Sequence, residues 1–223
     1  MGIKKINIGI FVSSKMESGG GHQYEYMVLN ILKKYHKNSS IILKIYGFNV
    51  ETKKIFSDLD IDITIVKENI FQKKHRISLS SPFFYKIFSK IKMNFCSIER
   101  MLVDDKIDLV YFLSPTSISQ ALNNIPYIST LWDLGHLEEL EFPELTNDRI
   151  FESRELMYTK SLKKASKVIV DSAYSKQYTI NKYNLDEKRI EVLKFLPNIR
   201  VADNEEFIDI KNIYNIKNDY VFY

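Results

Sequence analysis

The sequence is poor in the residues that would assign it quickly. Its 223 residues hold one cysteine, Cys96, which excludes an internal disulfide and a cysteine-built metal site. A reducing, cytoplasmic setting follows as the expectation. Glycine (7) and proline (5) are scarce, which argues against a disordered or fibrous chain. No apolar run approaches the roughly 20 residues of a membrane-spanning helix. The start, Met1-Gly2-Ile3-Lys4-Lys5, is basic, but the apolar stretch after it is short and alternating, with no small-residue cleavage site. It does not read as a signal peptide. Ile6 stands where a myristoylation signal wants Ser or Thr. The formal charge of +4 is mild for this length and selects no partner without clustering. What is present is 45% hydrophobic residues, enough for one large α/β domain or two small ones.

The apolar pattern alternates between strand and helix. Ile6–Val12 is β-branched and almost wholly apolar, as a buried parallel strand should be. A polar loop over Ser13–Gly21 follows. Then Tyr24, Met27, Val28, Ile31, Leu32 and Tyr35 recur at helical spacing. Further strands are predicted at Ile41–Tyr46, Ile61–Val66, Ile107–Leu113, Ile125–Trp132, Lys167–Val170 and Ile190–Leu193. Helices are predicted at Val50–Leu59, Thr116–Leu122, Asp148–Ala165 and Tyr174–Tyr183, and a long acidic loop at Asp133–Asn147. Such alternation implies crossover connections, hence an α/β Rossmann-like parallel sheet with helices on both faces. Residues 194–219 read as a polar linker with one helical turn at most, and Tyr220–Tyr223 as strand-like again.

Five constellations could carry chemistry. Gly19-Gly20-Gly21 stands between the first strand and first helix, where bare backbone and free helix N–H groups suit an anion. The loop lacks the Gly-Lys-Ser/Thr of a Walker motif. It also lacks the third glycine of a dinucleotide fingerprint, whose position holds Tyr24, so a tight turn alone remains the competing reading. Thr130-Leu131-Trp132-Asp133-Leu134-Gly135-His136 lies at a strand's C-terminal end, where open α/β sheets bind ligands. There His136 could bond a sugar hydroxyl and Asp133 could orient it, against the plainer reading of a capping aspartate and a surface histidine. Asp171 and Ser172 follow another strand and read on physical grounds as helix caps. Asp58, Asp60 and Asp62 open a strand at its N-terminal end, the wrong edge for a ligand, and read as solvated turn acids; Asp104 and Asp105 read the same way. Finally, residues 67–100 interleave bases, among them Lys86, Lys90 and Lys92, with Phe83, Phe84, Tyr85, Phe88 and Phe95. Ser81 and Pro82 would start a helix there. A surface helix on anionic lipid competes with ordinary packing; a nucleic-acid patch is disfavoured for want of a recognised motif.

Taken together, the segments resemble the acceptor-side half of a family 4 ("group 1") glycosyltransferase of the GT-B fold. The resemblance rests on Gly19-Gly20-Gly21-His22-Gln23-Tyr24, Asp108–Tyr111, Ile128–His136, Glu141–Glu144, Asp148-Arg149, Phe151-Glu152, Arg154-Glu155, Val168–Ser172 and Leu193–Pro197. It looks most like bacterial enzymes of O-antigen or capsule synthesis, often mannosyltransferases. The resemblance implies retaining transfer from a UDP- or GDP-linked sugar to a lipid-linked or saccharide acceptor, with no obligatory metal or cofactor. It puts Gly19, Gly20, Gly21 and His22 near the donor diphosphate and acceptor, His136 facing the donor sugar, and Asp171 and Ser172 along the cleft edge. The basic aromatic stretch would then hold the protein against the inner face of the cell membrane.

The resemblance also implies a division of the chain. Residues 1–196 would form the acceptor-side domain, 197–219 a linker, and 220–223 the first strand of a donor-binding domain. That second domain, supplied in cis or in trans, would carry the family's paired glutamates, so this chain alone is expected to bind nucleotide sugar weakly, if at all, and to be inactive. Two rivals stand beside this reading. One is a non-catalytic acceptor- or membrane-binding module working with a partner chain. The other is an unrelated α/β enzyme such as an epimerase or a nucleotide-binding oxidoreductase.

Overall fold

The computed structural model describes residues 5–13, 19–36, 40–67, 74, 83, 97–138, 141–142, 148–195 and 210–218. The first apolar run forms strand β1 (Ile6–Phe11), followed by helix α1 (Gly20–His36), β2 (Ile41–Gly47) and α2 (Val50–Ile55). Then come β3 (Ile63–Ile65), α3 (Ser97–Asp104), β4 (Leu109–Phe112) and β5 (Tyr127–Thr130). After these come α4 (Gly135–Glu138), α5 (Asp148–Lys164), β6 (Lys167–Val170), α6 (Ala173–Tyr183), β7 (Ile190–Val192) and a single turn, α7 (Ile210–Ile213). Short 3-10 turns occupy Ser57–Leu59, Ser117–Ala121 and Glu187–Arg189.

All seven strands join one sheet in the order β3-β2-β1-β4-β5-β6-β7, and every pair is parallel. The fold is thus the expected α/β Rossmann-like one. The order reverses between β1 and β4: β2 and β3 extend the sheet one way, and β4 to β7 the other. Such a reversal leaves a crevice outside the carboxyl ends of the two strands.

Alternate residues of β1, β2 and β4 feed two cores. Ile10, Ile45, Ile63 and Leu113 pack with Tyr24, Val28 and Leu29 of α1 and with Ile55 and Phe56. Phe11, Tyr46, Val110, Phe112 and Tyr127 pack on the other side with Ile98 and Leu102 of α3, Tyr158 and Leu162 of α5, and Tyr183 of α6. With both faces covered, the strands need to be apolar throughout rather than alternating, and that is how they read. The second core holds an aromatic row across four strands: Tyr46 to Phe11 at 5.1 Å, Phe11 to Phe112 at 5.2 Å and Phe112 to Tyr127 at 5.7 Å between ring centroids.

The structure corrects three local expectations. Gly20 and Gly21 belong to the first turn of α1, not to the preceding loop. The segment expected as an uninterrupted loop at Asp133–Asn147 contains α4, whose start is organised by the Asp133 side chain accepting from Gly135 N at 3.0 Å. The predicted helix at Thr116–Leu122 is a 3-10 turn, capped by Thr116, whose hydroxyl accepts from Ile118 N. The aspartates before β3 lie in a turn, as expected: Asp60 has φ 47° and Asp62 pairs with Lys53 at 3.7 Å. The expected linker and terminal strand at 197–209 and 219–223 lie outside the described residues. So do Ser81, Pro82, Lys86, Lys90 and Lys92. Among the described residues no helix is long and apolar enough to cross a membrane.

Candidate functional site

An open cleft of about 420 Å³ lies over the strand reversal, lined by Gly20, Gly21, Gln23, Tyr24, Trp132, Asp133 and Phe195. One helix, α1, and the segments that follow β5 and β7 build it. The first turn of α1 enters from the β1 side. Gln23 N donates to Gly19 O at 3.1 Å and closes that turn, so the N–H groups of Gly20, Gly21 and His22 have no acceptor within the helix. They leave the positive end of a 17-residue helix dipole at the cleft edge.

The glycines differ in what they do. Gly19 has φ +89°, a backbone state that only glycine adopts cheaply. Gly21 lies under the Trp132 ring, where a Cβ would stand 2.7 Å from Cζ3. Among the described residues nothing lies within 4 Å of the position a Gly20 Cβ would take.

Trp132 forms the opposite wall and donates from Nε1 to Leu113 O at 3.1 Å. Tyr24 lies beside Phe195, the rings tilted with centroids 4.3 Å apart, and its hydroxyl lies 2.7 Å from that of Tyr111 and 3.5 Å from Thr130 Oγ1. Burial raises the phenols of Tyr24 and Tyr111, so both act as neutral hydrogen-bonding groups. Beneath them Glu25 is fully buried. Its Oε1 accepts from Ser13 N at 2.9 Å, from Ser13 Oγ at 3.2 Å and from Ser114 Oγ.

Asp133 is in the cleft wall, half-exposed, and paired with Arg154 Nη1 at 2.9 Å. It does not touch the His136 ring in the way the sequence suggests. The partner of His136 is Glu155 of α5, whose Oε1 lies 3.1 Å from Nε2. The ring is fully buried, between Phe151 and Tyr158. Burial pulls the His136 imidazole below its ordinary value, and the Glu155 carboxylate only partly offsets this. Burial pushes the Glu155 carboxyl up, but bonds from Tyr183 Oη (2.7 Å) and His136, with Lys182 at 3.3 Å, bring it down overall. An ionised Glu155 only accepts, so Nε2 carries the proton and Nδ1 keeps its lone pair. That Nδ1 is buried with no partner among the described residues.

Two other expected residues stand apart from the cleft lining. The His22 ring packs near Phe56 and Tyr26, with centroids 5.4 and 6.0 Å away, so only its main chain stands at the helix start. Ser172 caps α6, its hydroxyl accepting from Ser175 N at 3.1 Å, and lies 3.0 Å from Asp171 Oδ1. Among the described residues no cluster of three or more His, Cys, Asp or Glu could hold a metal ion.

Sequence reasoning passes over Glu25 and Ser114, and gives Glu155 and Phe195 no role of their own. For Glu25 a signal exists: it precedes Val28 and Leu29 by one helical turn, on the buried stripe. For Ser114 and Phe195 none does, since their partners are 89 and 171 positions away.

No family model matches the chain, and no curated protein gives a significant sequence match. Solved structures do align with it. The UDP-GlcNAc 2-epimerase from Methanocaldococcus jannaschii covers 84% of this chain at 14% identity and a TM-score of 0.51. The UDP-GlcNAc 2-epimerase from Neisseria meningitidis bound to UDP-GlcNAc covers 83%, at 14% identity and 0.52. A glycosyltransferase from Rickettsia africae ESF-5 covers 86% at 17% identity, but its TM-score of 0.46 carries no argument. The chain spans 45%, 45% and 43% of those structures respectively. The likeness concerns the fold, a Rossmann-like domain of the GT-B kind. These two epimerases share the fold.

Proposed function

We propose that the chain is the acceptor-side half of a sugar-nucleotide glycosyltransferase. It would help move a sugar, with retention, from a UDP- or GDP-linked donor to a hydroxyl of a saccharide or lipid-linked acceptor in bacterial surface-polysaccharide synthesis. The observation that carries this reading is the cleft at the strand reversal, with the α1 N-terminus on one side and Trp132 and Asp133 on the other. The reaction breaks the bond from the anomeric carbon to the diphosphate and forms one to the acceptor oxygen, whose proton leaves with the diphosphate. Charge builds on the departing diphosphate, and free N–H groups at a helix start are suited to it. The bare Gly20 lets an oxygen approach the backbone closely. Trp132 offers a flat face to a sugar ring, and Asp133 an acceptor to its hydroxyls. His136 is assigned to a donor hydroxyl through Nδ1, which asks the ring to be uncovered when donor binds.

A second reading has its own support: two aligned structures with TM-scores above 0.5 are UDP-GlcNAc 2-epimerases. In that case the same cleft would hold the sugar nucleotide without any acceptor.

Labelled UDP- and GDP-hexoses offered to the protein together with its donor-binding domain, with and without a bacterial membrane-lipid extract, separate the two. The expected result is release of nucleoside diphosphate that depends on the extract, with label moving to lipid. Inversion of UDP-GlcNAc at C2 without acceptor would replace the transferase with the epimerase. No turnover together with no binding by saturation-transfer NMR would remove both.

A further inference from the structure

A fully buried carboxyl group is costly unless every oxygen is answered, and an apolar residue would have filled the same place on α1 beside Val28 and Leu29. Glu25 sits there nevertheless, and its contacts reach two strand ends. Ser13 follows β1 and gives Oε1 both its N–H and its hydroxyl. Ser114 follows β4 and gives its hydroxyl to the same oxygen. The residue before Ser114 is Leu113, whose carbonyl receives the Trp132 indole N–H at 3.1 Å. Leu113 N in turn donates to Phe11 O at 3.2 Å, so the segment after β4 is held from three sides. The Trp132 ring itself rests on Gly21, four residues before Glu25 on the same helix.

We infer that Glu25 is the positioning residue of the cleft: through Ser114 and the Leu113 carbonyl it fixes the Trp132 ring as a stacking wall. The mechanics need no ligand. The α1 helix fixes one edge of the ring through Gly21 and the indole nitrogen through the Glu25–Ser114 bond, so helix and wall move as one piece. What stacks on the wall rests on the proposed function: the apolar face of a pyranose ring from the sugar nucleotide or its acceptor.

Trp132 is the only tryptophan of the chain, so its fluorescence reads this one place. Glu25→Met keeps the volume and removes both acceptor oxygens. Ser114→Ala is milder and cuts only the link to the strand end. Tyr46→Phe is the control, because it removes a part-buried bond to Asp105 at 2.7 Å next to the far ends of the strands. Both test variants are expected to shift Trp132 emission to longer wavelength, raise its quenching by acrylamide and weaken the indole near-ultraviolet circular dichroism. The control is expected to lower the melting temperature and leave all three signals unchanged. UDP-GlcNAc binding is expected to weaken about tenfold in the test variants, the scale of one lost buried hydrogen bond. Unchanged Trp132 signals in Ser114→Ala and Glu25→Met would overturn the inference, as would equal changes in Tyr46→Phe. If the wild type binds no UDP-GlcNAc, the proposed function is weakened while the unliganded signals still decide the role of Glu25.

Discussion

Three successive glycines look alike in a sequence and differ in the molecule. Adding a methyl group at Gly21 drives it into the Trp132 ring, whereas the same methyl at Gly20 meets open space. Overpacking of this kind costs about 1–3 kcal/mol. Gly20→Ala instead gains a few tenths of a kcal/mol, up to about 1, by narrowing the unfolded ensemble. Thermal unfolding followed by circular dichroism is expected to show Gly21→Ala melting well below the wild type and Gly20→Ala at or above it. Equal melting of the two variants would mean that the ring is not seated on Gly21. The Asp133–Arg154 pair, by contrast, is half in solvent and is worth no more than about 1 kcal/mol to stability. Its meaning lies in where it puts the carboxylate, on the cleft wall, rather than in the energy of the pair.

At the scale of elements, α6 begins where Ser172 supplies its hydroxyl to Ser175 N. The preceding strand β6 ends at Val170, so this cap fixes the turn by which the chain leaves the sheet. Ser172→Ala is expected to lower stability by about 1 kcal/mol, the usual worth of an N-cap. Amide exchange at Ser175 would rise, while that of β1 and β4 stays as it was. No change at Ser175 would show that the cap is not formed. This turn was readable beforehand, because capping is a local matter of side-chain type and neighbouring N–H groups. The short helix α4 was not readable. Its four residues are too few to show a period, and it is fixed by the Asp133 cap and by burial of His136.

For the whole molecule, the His136–Glu155 pair joins three helices: His136 is on α4, Glu155 on α5, and Lys182 and Tyr183 on α6. His136 titrates in the folded protein below its ordinary value of 6.5. The unfolded chain therefore takes up this proton first. Stability from this source is complete above pH 6.5 and declines as the pH falls through that value towards the folded-state pKa. Glu155 is lowered from 4.5, so its contribution is lost in a second window below that pH. Melting temperatures between pH 7.5 and 5 are expected to drop in the wild type and to flatten in His136→Gln, which keeps a donor for Glu155. A parallel slope in both proteins would mean that His136 is not the group being charged.

Periodicity, cap residues and the Val/Ile-rich runs by themselves determined the parallel α/β sheet and nearly all its elements, because those signals act over one or two turns of chain. They also put the glycine loop and the Trp132–His136 stretch at strand ends, since chain order dictates which end of a parallel strand meets the following loop. Only the tertiary structure decided which residues answer one another. Asp133 stands three positions from His136 and turns instead to Arg154, while Glu155, 19 positions further along the chain on α5, reaches the imidazole. His22 follows the glycines directly, yet the helical turn aims its ring at Phe56. The choice lies in packing: a side chain's direction is set by the helix that carries it and by the space its neighbours leave, and neither is written in the spacing of residues along the chain.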